Sequence, residues 1–225
     1  MNTQGTSRSL KTPTALLTAF LWIFVALAVF ATTGTAYETF RDRNIIEVNA
    51  GGSDTATQIW PILFGIGSLA WIVVALIVFV ILLLWVHRAH DNILREGLEL
   101  DHSPGWAVGS YFIPVINLFV PMRAMRELYN RSHGEIPEHA HSSVDSVASW
   151  WTAYVIGILL WSMFVFQTLF GMFTNAFFVT HPLMEFAMMT FSNLLLAIAA
   201  VMLMGIVKSI ARAQADANHA WKAFE

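Results

Sequence analysis

The residues best suited to chemistry in this chain are a set of histidines outside its apolar stretches and one asparagine set between two prolines. His87, His90 and Asp91 stand at i, i+3 and i+4, which on a helix gathers two imidazoles and a carboxylate, the donors a divalent metal takes. The loop His133-Gly134-Glu135-Ile136-Pro137-Glu138-His139-Ala140-His141 adds His133, His139 and His141. A Gly-Pro loop makes a loose surface chelate rather than a preorganised centre, and the helical trio serves equally well as an interfacial polar face. Asn117, between Pro114 and Pro121, has the chemistry by which broken membrane helices hold ions or small ligands: an amide beside carbonyls freed from helical bonding. The same amide can instead hold the turn by satisfying those carbonyls. The lack of a second broken segment in a matching repeat favours this structural role. With no cysteine there is no thiolate ligand or thiol nucleophile. No two histidines sit within different apolar stretches, as a bis-histidine haem requires. No catalytic residue and no cofactor is assigned.

The elements that must position these residues are apolar. Hydrophobic residues make up 56% of the chain and charged ones 12%, about half the charged share of a soluble domain. Four stretches, 14–36, 59–86, 150–173 and 186–207, meet the roughly 20 apolar residues that a helix needs to cross a hydrocarbon core of about 30 Å. The expected fold is therefore all-α and integral to a membrane, a single domain over residues 1–225 with four transmembrane helices. The first stretch follows Arg8 and Lys11 as a secretory signal would. It is longer than the roughly 7–15 residues of a signal core, so it is read as a retained anchor.

Orientation follows from the basic residues, which are retained on the cytoplasmic side. Arg8 and Lys11 precede the first stretch. Arg88, Arg95, Arg123, Arg126 and Arg131 lie in the central loop 87–149, and Lys208, Arg212 and Lys222 follow the fourth stretch. Only Arg41 and Arg43 of the 12 Lys and Arg residues fall elsewhere. Both termini and the central loop are thus expected on the cytoplasmic side of the membrane. A net charge of −3 and the lack of a basic run argue against nucleic acid as a partner.

Within the central loop a fifth apolar segment, Trp106 to Val120, is too short to cross. Arg95 before it and Arg123 after it are assigned to one side, so it crosses an even number of times or not at all. It is read as a Pro-broken re-entrant or in-plane helical element. Ser103 caps a helix whose first residue is Pro104, Pro114 breaks that helix, and Pro121 starts a second one reaching about Ser132. The second helix should show Met122, Met125, Leu128 and Tyr129 on an apolar face, with Arg123, Glu127, Asn130 and Arg131 on a polar one. Glu127 and Arg131 have the favourable i, i+4 order for a pair.

Pro104-Gly105-Trp106-Ala107-Val108-Gly109, Phe112-Ile113-Pro114, Asn117-Leu118, Pro121, Met125-Arg126-Glu127-Leu128-Tyr129 and Ser132 together resemble the signature of a bacterial membrane family catalogued as domain-of-unknown-function family 4328. Trp85, Arg88-Ala89 and Asn92 resemble the stretch before that signature, Trp150-Trp151 the start of the third helix, and Ile210, Arg212 and Gln214 the closing stretch. The resemblance covers roughly residues 59–216. It implies a multi-helix membrane protein and supplies no activity. His90-Asp91 and the His-rich loop are not part of it.

Gln167 and Asn193, inside the third and fourth stretches, are read as interhelical hydrogen-bond partners. Gly65, Gly67 and Ser68, with Ala15 and Ala19, are read as close-packing surfaces, and Trp60, Trp85, Trp150 and Trp151 as interfacial anchors. The ends of the second and fourth stretches, Arg88-Ala89-His90-Asp91-Asn92 and Arg212-Ala213-Gln214-Ala215-Asp216-Ala217-Asn218, are faintly alike. The residues that carry structure or a ligand are Trp106, Pro114, Asn117, Pro121, Arg123, Glu127, Asn92 and Gln214. The expected function is non-enzymatic: a scaffold or accessory subunit presenting a cytoplasmic amphipathic platform to lipid, a membrane-protein partner or a second copy of the chain. The alternative is a small oligomeric transporter or channel using the break at Pro114-Asn117-Pro121.

Overall fold

The structure, a computed structural model, describes residues 8–41, 55–140, 144–174 and 181–222. It is all-helical, and four helices are long and apolar enough to span a membrane: α1 (Lys11–Arg41), α2 (Thr55–Arg95), α5 (Asp145–Thr174) and α6 (Pro182–Lys222). Each continues past its apolar run. At 1.5 Å per residue the 41 residues of α2 extend about 60 Å, roughly twice the thickness of a hydrocarbon core. The ends of α2 and α6 are therefore available to build structure outside the lipid. The short helices α3 (Pro104–Gly109) and α4 (Val120–Ser132) lie between α2 and α5.

The chain forms two compact units, each drawing on all four long helices. One comprises the chain up to Leu21, Ile77–Trp151 and the chain from Val201; the other comprises Trp22–Leu76 and Thr152–Ala200. The second unit is held by close helix packing and aromatic contacts. Gly67 lies against the Phe30 ring and Gly34 against the Phe64 ring, where a side chain would collide. Trp71 packs on Phe24 and Trp161, with centroids 5.3 and 5.6 Å away. Gly157 lets α5 approach α6 so closely that an added Cβ would stand 2.9 Å from Leu196 Cγ, and its carbonyl accepts the Ser192 hydroxyl at 2.9 Å. Gly65, by contrast, faces open space and is not a packing residue. Gln167 donates to Glu185 Oε1 at 3.3 Å, as an interhelical partner should. Asn193 Nδ2 is buried without a partner among the described residues, so only one of the two amides bonds as expected.

The first unit buries Leu10, Leu17, Trp85, Ile93, Met125, Leu128, Val147, Val207 and Ile210. Trp85, Trp150 and Trp151 belong to this core and are not interfacial anchors. The reason is that each indole has work inside the protein: Trp85 Nε1 donates to Thr14 Oγ1 at 2.8 Å, Trp151 Nε1 donates to the Leu118 carbonyl at 2.8 Å, and Trp150 packs edge-on against Trp151.

Replacing Gly157 with Leu should destabilise the second unit by roughly 1–3 kcal/mol, the usual cost of overpacking a tight contact. Ser192→Ala should cost only about 0.6 kcal/mol, the usual worth of an interhelical hydrogen bond in a membrane protein. Thermal unfolding in one detergent, with both variants side by side, checks the order.

Candidate functional site

The site is the central segment and the helix ends that hold it. Ser103 caps α3 by accepting the Trp106 N–H at 3.2 Å, Pro104 occupies the first turn, and a 3₁₀ turn over Ser110–Phe112 carries the chain to an extended Ile113. Pro114 and Val115 then make the break. Val115 has φ 68° and ψ −50°, and the Ile116 N–H donates across it to the Pro114 carbonyl at 2.8 Å, which defines a γ-turn. A β-branched residue in that conformation is strained. A second 3₁₀ turn, Ile116–Leu118, leads to α4, where Pro121 sits in the first turn.

The carbonyls of residues 113–116, 118 and 119 around the break are each paired. Those of Ile113, Pro114, Val115 and Ile116 accept the N–H groups of Asn117, Ile116, Leu118 and Phe119, and that of Phe119 accepts Arg123 N–H. Leu118 O takes the Trp151 indole. Asn117 was expected to be the partner here and is not: its Nδ2 donates to none of these carbonyls among the described residues, which local turns and Trp151 already serve, and its Oδ1, itself an acceptor, is buried and unbonded. The break carries an apolar knuckle, in which Phe112, Val115 (70% exposed) and Phe119 stand out from the protein. Its base is fixed by Phe79 of α2, whose ring meets Tyr111 at 5.9 Å and Phe112 at 5.8 Å.

Beyond the break, the polar residues of α4 turn inward. Glu127 is 1% exposed and does not pair with Arg131. Its oxygens accept the Asp101 N–H at 2.5 Å, the His102 N–H at 3.3 Å and His102 Nδ1 at 2.6 Å. Arg131 donates instead to the carbonyls of Glu99 and Glu135, at 3.1 and 2.9 Å, and Asn130 Nδ2 to those of His139 and Ala140, both at 3.2 Å. The expected polar surface of α4 is thus an internal clamp on the loops either side of it. Met125 and Leu128 are buried as the apolar face requires, while Arg123 remains exposed. Burial pushes the Glu127 carboxyl up, but the His102 side-chain bond and the two N–H groups outweigh it, and the net shift is below the ordinary value of 4.5.

Asn92 and Gln214, 122 residues apart, meet at the junction of α2 and α6. Asn92 Oδ1 accepts Arg8 N–H at 2.8 Å, and its Nδ2 donates to Arg8 O at 2.8 Å and to Gln214 Oε1 at 3.0 Å. Gln214 Nε2 donates to the Ala89 carbonyl at 3.2 Å and to Ser132 Oγ at 3.0 Å. One buried pair of amides thereby fastens the start of α1 and the ends of α2, α4 and α6. In the sequence the two residues belong to separate stretches that resemble the family's, and nothing there paired them with each other.

The histidines are dispersed, and no group of three metal-ligating side chains converges among the described residues. His90 turns inward with Nδ1 donating to the Val86 carbonyl at 2.9 Å, His87 is exposed, and Asp91 is taken by Arg95 at 2.7 Å. His133 stacks on Tyr129; its Nδ1 donates to the Tyr129 carbonyl at 2.7 Å and its Nε2 accepts from Ser209 at 3.0 Å, so neither nitrogen is open to a metal. His139 is exposed, and His141 lies outside the described residues.

These features define a multi-pass, all-helical membrane protein with a structured segment between its second and third spans. The family model described as Domain of unknown function (DUF4328) matches residues 49–212, and the chain belongs to that family. No curated protein and no solved structure matches the chain.

Asn92→Ala and Gln214→Ala should each cost about 1–3 kcal/mol, the penalty for leaving buried partners unpaired. The double variant should cost less than their sum, and a double-mutant cycle in detergent measures the coupling. A depressed carboxyl stabilises the fold above its unfolded value and loses that stabilisation as pH falls through the folded one. Glu127→Gln should therefore be less stable than the parent from neutral pH down to about 4.5, and the gap should close below that, as read from melting curves across pH.

Proposed function

We propose that this chain is a non-enzymatic scaffold or accessory subunit of the bacterial inner membrane, with both termini and the segment 87–149 in the cytoplasm. The observation that carries the reading is the inward use of polar chemistry. Glu127, Asn130, Arg131, Asn92 and Gln214 all bond to loops and helix ends, so they make a rigid body rather than a reaction centre. Such a body suits presentation of the exposed Arg123 side of α4 to a partner.

The apolar knuckle supports re-entry into the cytoplasmic leaflet. Phe79 lies in the apolar run of α2, seven residues before Val86, or about 10 Å along the helix. A segment packed on it keeps company with hydrocarbon, where a broken backbone is tolerated only if its carbonyls are paired, as those of residues 113–116, 118 and 119 are. One observation favours the alternative of a transporter or channel: the unbonded Oδ1 of Asn117, an acceptor held beside the break.

The test is purification of the tagged parent, Arg123→Glu and Asn117→Leu from native membranes. The scaffold reading expects a stoichiometric protein partner with the parent, its loss with Arg123→Glu, and its retention with Asn117→Leu, all three melting within about 1 kcal/mol of one another. A parent that elutes alone, together with an ion or solute flux in proteoliposomes that Asn117→Leu abolishes, overturns it in favour of transport. A cysteine at Arg123, the only thiol in that variant, should label from the cytoplasmic side.

A further inference from the structure

A cleft of about 800 Å³ opens in the first unit between the start of α1 and the end of α6. Its wall carries Arg8, Lys11, Lys208 and Arg212 and no acidic residue. All four cations are exposed and none has an ion-pair partner among the described residues. Four like charges around one concavity repel one another, and an anion placed between them relieves that repulsion while drawing on the forked geometry of two guanidinium groups. The cleft also runs along α1 to Ala19, five residues into the apolar stretch that begins at Thr14. Ala15 and Ala19 were expected to pack against another helix, yet both are exposed and line this end.

We infer that the cleft is a binding site for an anionic phospholipid, its phosphodiester held by Arg8, Lys11, Lys208 and Arg212 and the first part of an acyl chain laid over Ala15 and Ala19. A soluble phosphate would use only the cationic end; a lipid uses both. The cations stand beside the first and last spans, where an anionic leaflet supplies the ligand at high local concentration. The Asn92–Gln214 pair, whose residues also line the cleft, fixes the start of α1 against α6 and so sets the spacing of the two pairs of cations. The inference rests on the membrane reading and not on the scaffold reading, since Arg123 lies outside the cleft.

The experiment is native mass spectrometry of the intact chain released from micelles doped with phosphatidylglycerol or phosphatidylethanolamine, at one ionic strength. The parent should retain phosphatidylglycerol preferentially. Each cation removed should weaken binding about fivefold, so Lys208→Gln with Arg212→Gln should weaken it roughly twenty-fivefold. Arg95→Gln, whose charge is already met by Asp91, should bind as the parent does. Ala15→Leu, which fills the apolar end without touching charge, should also weaken retention. Equal retention by the parent and the double variant overturns the site. So does loss with the charge variants but none with Ala15→Leu, which would indicate attraction to surface potential alone. Inorganic phosphate that displaces phosphatidylglycerol at equimolar concentration would make the ligand soluble phosphate and overturn the lipid assignment. A melting temperature within a few degrees of the parent is required of each variant that loses lipid, and a loss explained by unfolding in every one of them counts against the site. Loss of lipid with a protein partner retained, or the reverse, separates this inference from the scaffold reading.

Discussion

Two side-chain amides, Asn92 and Gln214, hold the first unit together because neither can be buried alone. A primary amide withdrawn from water must replace its bonds or cost a kcal/mol or more for each one lost. Asn92 finds both polar groups of the Arg8 peptide unit, and Gln214 finds Ala89 and Ser132, and each then completes the other. Four chain segments are thereby fixed at one point. The apolar residues around them, among them Ile93, Val207 and Ile210, supply more burial but less direction.

The same rule governs the central segment at larger scale. Pro114 and Pro121 remove two backbone donors and end regular helix, which leaves carbonyls to be satisfied in a region of exposed apolar side chains. The chain answers with a γ-turn at Val115, two 3₁₀ turns and the indole of Trp151. The strain at Val115 is the cost of closing those bonds within so few residues. Downstream, α4 applies the rule in reverse, spending its charged side chains on the backbone groups of neighbouring loops, so that a short amphipathic helix becomes a clamp instead of a surface.

Much of this was legible in the residues. The four spans follow from the length of apolar runs alone. The caps and stops around Pro104, Pro114 and Pro121 follow from what proline does to a backbone. Asn92 and Gln214 stood out singly, through the family resemblance of the stretches that hold them, while their pairing did not. The partners of polar side chains were harder to read: Glu127 has Arg131 at the right helical spacing, yet it bonds to His102 and the Asp101 amide. Asn117 has carbonyls beside it, yet its Nδ2 donates to none of them among the described residues, and its Oδ1 is buried without a donor. His87, His90 and Asp91 sit close in sequence and take separate partners or none.

Sequence by itself determined the class of protein, the number of spans and the places where helices must stop, because hydrophobic length and proline geometry act locally and need no knowledge of what lies across the fold. Tertiary structure decided which face of each amphipathic element is buried, which carbonyl each donor meets, and that the basic residues beside the first and last spans converge on one cleft. Those outcomes depend on segments far apart in the chain, from 33 residues for Trp151 and Leu118 to 122 for Asn92 and Gln214, and further still for the cations of the cleft. A hydrogen bond or a charge cluster between such segments leaves no periodic trace in either of them.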